Sequence, residues 1–323
     1  MKIALLCPGL GNIDRGHEVF ARSIFALLKD DVEMTLFKGG GEQTAGEIVV
    51  DNIPRYSSLL DGMRLCVSEK WKGAIREQRR EDVECATFVH SALKPLLIGE
   101  YDIIHCLDKS ITNIIWDFRY LFKKTPRILF SNGGAIPRKN LPQCDFVHEY
   151  TEHNLKRGIK ERSFLIPHGV DLKLFDPGIK TDFRSKYDIP QDALMILSVG
   201  KICYWHKRTD YLINEVSKIK GAYLVIAGQE SPDSPAIKDL GRKLLGDRAV
   251  FLQLSHSDLA QLYKAADIFA LASLNETFGI VYIEAMAMGL PVIASAHPNI
   301  RQILKNQIFI NMAKKGNLEK TVV

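Results

Sequence analysis

Short apolar runs of about five residues alternate with longer amphipathic stretches along nearly all of this 323-residue chain. That alternation constrains the fold most, because strand, covering helix and next strand together build a parallel sheet with helices on both faces. The spacing predicts strands over Ile3–Cys7, Glu33–Phe37, Asp102–Cys106, Arg127–Phe130 and Ser163–Ile166, with helices over Gly16–Leu28, Lys70–Leu97 and Ser110–Phe122. The pattern resumes after residue 190. Strands are expected over Leu194–Val199, Tyr223–Ala227, Val250–Leu254, Ile268–Leu271, Pro291–Ala294 and Gln307–Ile310, and helices over Lys207–Lys220, Pro235–Leu245, Ser257–Ala266 and Gly279–Met288. Between the two series, His168–Pro177 holds Gly, Pro and Asp without a period and reads as a linker. A boundary near residue 170 gives two doubly wound α/β domains, 1–170 and 171–323, facing a cleft. Ligands of such sheets bind at the carboxyl ends of the strands.

Composition narrows the class. Hydrophobic residues make up 46% and charged residues 25%, as in folded, soluble proteins and unlike disordered or collagen-like ones. The formal net charge of +5 suits anionic ligands and is too small to indicate a nucleic-acid partner. No apolar run reaches the ~18 residues of a membrane span, and the apolar residues between Lys2 and Pro8 are too few for a secretory signal. Six scattered cysteines without a C-x-x-C pair suit reduced, buried thiols and a cytoplasmic location. The charged stretch Lys70–Glu84 reads most plainly as a solvated helix face. Its basic residues and tryptophan make peripheral contact with a membrane, or with an acidic acceptor, the alternative.

Several chemistries are disfavoured by spacing. The first strand runs into Pro8-Gly9-Leu10-Gly11-Asn12-Ile13-Asp14-Arg15-Gly16, where a dinucleotide fingerprint would need glycine at Asp14. No P-loop is present, no two aspartates form D-x-D, and no histidine–cysteine or H-E-x-x-H metal pattern occurs, so neither a metal nor a bound cofactor is expected. The Gly9–Gly16 loop then reads either as a tight strand-to-helix turn or as a flexible loop whose amides meet a phosphate or sugar.

The strongest signal is Asn275-Glu276-Thr277-Phe278-Gly279-Ile280-Val281-Tyr282-Ile283-Glu284. Glu276 ends a strand-to-helix loop, Gly279 opens the helix, and Glu284 follows two turns later. A carboxylate among Phe278, Ile280, Val281 and Ile283 is costly without a partner, and ribose hydroxyls would be one. The amides over Phe278–Val281, with the helix dipole, favour an anion. The plainer reading is a helix with one semi-buried Glu284, capped by Glu276. A second element, Gly200-Lys201-Ile202-Cys203-Tyr204-Trp205-His206-Lys207, brings Lys201 and Lys207 to the sheet's carboxyl edge. Two cations opposite a helix N-terminus make a diphosphate site, although a lysine pair in a loop is more often simply solvated.

Together these residues resemble the retaining glycosyltransferases of family 4, with the GT-B fold, over nearly the whole chain. Glu276 and Glu284 match the family's Glu-x7-Glu motif within Ala266–Ala294. Gly200-Lys201 stands where the family has Gly-Arg, Lys207 matches its phosphate-binding lysine, Pro167-His168-Gly169-Val170-Asp171 resembles its P-N-G-V-D linker, and Gly16-His17-Glu18 its first glycine loop. Asp102–Asp108 resembles the D-V-V-H-x-H run: His105 matches the first histidine, Leu107 replaces the second, and Asp108 is the candidate substitute. His105 alone also reads as a core histidine. The second domain is expected to lack the family's closing helices.

The resemblance implies metal-free transfer of a sugar from a nucleotide-diphosphate donor to a hydroxyl on a saccharide, lipid or small molecule, as in glycan biosynthesis. The first domain would take the acceptor and the second the donor. Glu276, Lys201, Lys207, His105 and Asp108 would be catalytic. Gly9, Gly11, Gly16, Thr277, Phe278, Gly279, Ile280 and Glu284 would hold the donor, with the base near Gly228-Gln229 and Leu254–His256. The alternatives are an inactive sugar-nucleotide-binding or glycan-binding GT-B protein and a GT-B nucleotide-sugar epimerase.

Overall fold

A computed structural model describes residues 1–13, 15–65, 68–134 and 136–322, without the side chains of 69–72 and 74. The chain divides into two compact units, Met1–Ile166 and Pro167–Val323.

The first unit contains β1 (Lys2–Cys7), α1 (Gly16–Leu28), β2 (Glu33–Lys38), β3 (Glu47–Val49), α2 (Glu69–Gly99), β4 (Ile103–Cys106), α3 (Lys109–Asp117), β5 (Arg127–Ser131), β6 (Phe146–Glu149), α4 (Glu152–Arg157) and β7 (Ser163–Leu165). Its strands form one parallel sheet in the order β3-β2-β1-β4-β5-β6-β7, with Leu5 opposite Leu36 on one side and His105 on the other. The two-residue period of β1 feeds two cores. Ile3, Leu5 and Cys7 pack with Ala21 and Phe25 of α1, while Ala4 and Leu6 pack with Phe88 and Val89 of α2.

The second unit contains α5 (Phe183–Lys186), β8 (Met195–Val199), α6 (Thr209–Val216), β9 (Tyr223–Ala227), α7 (Ser234–Leu245), β10 (Ala249–Leu252), α8 (Leu259–Ala265), β11 (Ile268–Leu271), α9 (Ile280–Ala287), β12 (Val292–Ser295), α10 (Pro298–Leu304), β13 (Ile308–Ile310) and α11 (Asn317–Val322). Its strand order is β10-β9-β8-β11-β12-β13, all parallel. Met195, Leu197 and Val199 face one core and Ile196 the other, so β8 is apolar on both sides, as a central parallel strand should be.

Several boundaries differ from the sequence expectation. β3 and β6 were not predicted: β3 has three residues, and β6 carries His148 and Glu149 into the interior, which hides it from a search for apolar runs. The third helix ends at Asp117 and passes into a 3-10 turn, Arg119–Leu121. α6 starts at Thr209, so Lys207 stands in the preceding loop. The charged face of α2 is not simply solvated. Arg55 binds Glu81 and Glu84, Glu84 is fully buried, and Arg80 pairs with Asp61 at 2.6 Å. The side chains of Lys70 and Trp71 lie outside the described residues. Cys7, Cys85, Cys106, Cys144 and Cys203 are buried free thiols, and Cys66 lies outside the described residues. Among the described residues no helix is long and apolar enough to cross a membrane.

Candidate functional site

In each sheet the chain order reverses at one place: between β1 and β4 in the first unit and between β8 and β11 in the second. Carboxyl-end loops on either side of such a reversal splay apart and leave a crevice. In the second unit these are the 200–208 loop after β8 and the 272–279 loop after β11.

The exits of β8, β9 and β10 are laced together. Gly200 donates its amide to Ala227 O at 2.8 Å, Gly228 to Leu252 O at 2.9 Å, and Ile202 to Gln229 O at 3.0 Å. A Cβ on Gly228 would stand 1.9 Å from Gly200 O, so only glycine permits this approach. Gln229 Oε1 is buried without a hydrogen-bond partner among the described residues.

Lys207 and Glu276, 69 residues apart, meet across the crevice. Lys207 Nζ donates to Glu276 Oε1, with the side chains only 16% and 9% exposed. The lysine stem lies along Gly200, where a Cβ would come within 3.0 Å of its Cε. Asn299 Nδ2 donates to Glu276 O at 3.2 Å and fixes the other side of the loop. Burial alone would raise the Glu276 pKa, but Lys207 and His206 outweigh it and hold the carboxyl below its ordinary value. His206 is shifted down by burial and then by Lys207 and Lys201, against the pull of Glu276. The neutral ring donates through Nε2 to Asn275 O at 3.2 Å and lies 3.8 Å from Glu276 Oε1. Lys201 is half-buried in the same loop. Thus Lys207 and Glu276 are paired at one edge, with half-buried Lys201 in the same loop.

Gly279 is the residue before α9, with φ +73°, and a Cβ there would meet Tyr282 Cδ2 at 2.6 Å. Glu276 does not cap this helix, which corrects one sequence reading: no side chain caps it. Of the first-turn amides, that of Tyr282 donates to Gly279 O at 2.9 Å. Phe278 is buried edge-on to His168, whereas Thr277, Ile280, Val281 and Ile283 are half-buried. The buried face of α9 is Tyr282, Glu284 and Ala285. Glu284 has its partners within the chain. His256 Nε2 is 2.8 Å from Oε1, and Tyr263 donates its hydroxyl to Oε2 at 2.8 Å. Ribose is therefore not needed to satisfy it. His256, at 22% exposure, is the rim of this cluster. Tyr263 was missed from sequence because on α8 it reads as an ordinary apolar position.

In the first unit the described residues of the glycine loop pack as a tight turn. Asn12 and Ile13 donate amides to Gly9 O, Gly40 donates its amide to Leu10 O, and Leu10 and Ile13 are buried. A Cβ on Gly9 would meet Glu18 Oε1 at 2.4 Å, and one on Gly11 (φ +92°) would meet Gly40 O at 2.1 Å. Gly16 has open space around it. Asp14 lies outside the described residues. His105 is buried at the end of β4, as its core reading expects. Burial brings its pKa down to about 3, and Nε2 lies 2.7 Å from the Ser131 hydroxyl. That hydroxyl is 2.9 Å from His148 Nδ1, while His148 Nε2 donates to Ile166 O at 2.7 Å. Two neutral rings and a terminal carbonyl fix one direction of donation, from His105 through Ser131 and His148 to Ile166. Leu107 is buried; Asp108 is half-buried at the start of α3, and burial raises its pKa against the pull of His17 and Arg15. Among the described residues no three His, Cys, Asp or Glu side chains gather as a metal site.

Residues 179–320 match the family model "Glycosyl transferases group 1". A D-inositol 3-phosphate glycosyltransferase of Mycobacteroides abscessus is 38% identical over 138 residues, 41% of this chain and 31% of that protein. Its counterpart from Mycolicibacterium smegmatis is 35% identical over 150 residues, 45% of this chain and 34% of that protein. The matched stretch thus spans about a third of these relatives' length. Among solved structures, a sucrose-phosphate synthase from Thermosynechococcus elongatus aligns over 99% of this chain and 88% of its own, with TM-score 0.77 and 22% identity. Anabaena HepE, in complex with UDP and glucose, aligns over 100% and 89%, with TM-score 0.71 and 17% identity. The group 1 match lies within the second unit, and the solved structures share the two-sheet fold over nearly the whole chain.

Proposed function

We propose that this protein is a retaining glycosyltransferase of the family 4 type that moves a sugar from a nucleoside-diphosphate donor to an acceptor hydroxyl. The observation that carries the reading is the Lys207–Glu276 pair at the reversal point of the second sheet, beside the start of α9. The sugar C1–O bond to the diphosphate breaks, a C1–O bond to the acceptor forms on the same face, and the acceptor proton passes to the departing phosphate. The sugar becomes oxocarbenium-like while the diphosphate gains charge. Lys207, Lys201 and the amides opening α9 stabilise that charge, at about 2.7–4 kcal/mol of barrier per well-placed donor. Glu276 accepts from sugar hydroxyls. Glu284 and His256 hold the ribose through lone pairs and edges left after their mutual contact. These steps need no metal ion. The first unit supplies the acceptor side.

A thermal-shift screen of UDP-, GDP- and ADP-glucose tests the donor class, since a ligand at 100 times its Kd adds about 2.7 kcal/mol of stability. Lys207→Ala and Glu284→Ala should then abolish turnover with the fold intact by circular dichroism. Wild-type turnover in both variants defeats the reading. Buried Leu107, in place of the family's second histidine, favours an inactive nucleotide-sugar binder as the second reading. Calorimetric binding without transfer or hydrolysis would select it.

A further inference from the structure

Between Lys201 and Lys207 the loop carries Tyr204-Trp205-His206, and Trp205 is 79% exposed. Single exposed apolar side chains are ordinary; the setting of this one is not. One face of the indole is backed by the His206 ring, with centroids 5.3 Å apart and planes 28° from parallel. His206 is itself held by Asn275 O and lies 3.8 Å from the Glu276 carboxylate. The backbone leading into the indole is tied down. Tyr204 donates its amide to Asp233 Oδ2 at 3.2 Å, Ser231 donates its hydroxyl to Ile202 O at 2.5 Å, and Thr209 donates its amide to Cys203 O at 3.2 Å. The imidazole therefore lies between an open aromatic ring and a buried hydroxyl acceptor.

We propose that Trp205, backed by His206, is a stacking platform for a pyranose ring, with Glu276 accepting from the same ring's hydroxyls. A pyranose has the two surfaces this arrangement answers: a face of C–H groups that lies flat on an aromatic ring, and an edge of hydroxyls that needs fixed acceptors. This deepens the glycosyltransferase reading and rests on it. The ring is that of the donor sugar or that of a saccharide acceptor, and the recognition chemistry is the same for both.

The test uses the full chain as wild type, Trp205→Ala and Trp205→Phe. Isothermal titration calorimetry reads binding of the nucleotide-glucose that stabilises the wild type, of its parent nucleoside diphosphate, and of methyl α-D-glucopyranoside in the presence of that diphosphate. If the donor ring stacks, Trp205→Ala weakens nucleotide-glucose binding roughly threefold to tenfold and leaves the diphosphate unchanged, while Trp205→Phe retains most of the affinity. If the acceptor ring stacks, only methyl glucoside binding falls. Unchanged binding of both sugars by Trp205→Ala overturns the platform, and loss of binding to anionic phospholipid vesicles in its place would assign the indole to a lipid surface. A wild type that binds no nucleotide-glucose defeats the glycosyltransferase reading itself, and this inference with it.

Discussion

The Lys207–Glu276 pair makes a sharp quantitative prediction through a double-mutant cycle of Lys207→Met and Glu276→Gln. Both side chains are largely withdrawn from water, the lysine at 16% exposure and the glutamate at 9%. Removing one member of a fully buried pair costs about 3–5 kcal/mol, because the other charge is stranded. Lys207 keeps some access to solvent and the glutamine can still accept its hydrogen bond. We therefore expect about 3 kcal/mol for Lys207→Met and about 2 kcal/mol for Glu276→Gln. The double variant strands no charge and should cost about 3 kcal/mol rather than the sum, a coupling of about 2 kcal/mol.

Hydrogen exchange of peptides from the second unit, followed by mass spectrometry in increasing urea, reads this without treating a two-unit chain as two-state. A pH arm checks the charge. The Glu276 pKa is lowered in the folded protein. Its contribution is therefore fully present above the unfolded carboxylate pKa near 4.5 and is lost as pH falls through the lower folded value. The gap between wild type and Glu276→Gln should be full at pH 7 and shrink below pH 4.5. Additive costs, or a gap indifferent to pH, would refute an ion pair at the heart of this crevice.

Three further outcomes follow from single contacts. Gly228→Ala places a methyl 1.9 Å from Gly200 O and should unfold the carboxyl edge of β8 and β9, seen as lost exchange protection there and lost nucleotide binding. Tyr263→Phe leaves Glu284 Oε2 short of a buried donor and should cost about 1–3 kcal/mol in chemical denaturation. Burial pushes the Glu149 carboxyl up to about 7, with Asn132 its hydrogen-bond donor. Its raised folded pKa means stability declines as pH climbs from about 4.5 to about 7, by up to about 3 kcal/mol, and Glu149→Gln should flatten that slope in melting curves taken across pH 4–8.

Legibility in the sequence tracked how local each interaction is. The apolar runs of β1, β8, β9 and β11 carry their own evidence, because a central parallel strand is buried on both faces. β6 does not, since Phe146-Val147-His148-Glu149 buries two polar side chains whose partners, Ser131 and Asn132, lie on and just beyond the neighbouring β5. The loop bearing Glu276 is visible in the sequence and that before α6 nearly so, with Lys207 read as the first helical residue, yet the pairing of the two side chains depends on β8 and β11 being neighbours, which no local window encodes. A carboxyl group buried at Glu284 could be seen to require a partner. That its partners are His256 and Tyr263 depends on how the 255–258 turn and α8 pack against α9. The first glycine loop leaves two readings open for a related reason: glycine marks close backbone approach as readily as mobility, and here Gly11 abuts Gly40.

The pairing of Lys207 also bears on how a diphosphate could be received at this edge. A free lysine on a loop loses about 2 kcal/mol of rotamer entropy when a ligand fixes it. Here Gly200 beneath its stem and Glu276 at its tip already fix it, so that loss belongs to folding and not to binding. An ammonium has three N–H donors and Glu276 occupies one, which leaves two for phosphate oxygens. The carboxylate that orients the lysine would also repel an incoming diphosphate. That repulsion is least when the ammonium stands between the two anions, which sets Glu276 toward the sugar and Lys207 toward the phosphate. In the proposed reaction, charge then develops on the side of the lysine that is already in place, and its orientation requires little reorganisation as the bond breaks.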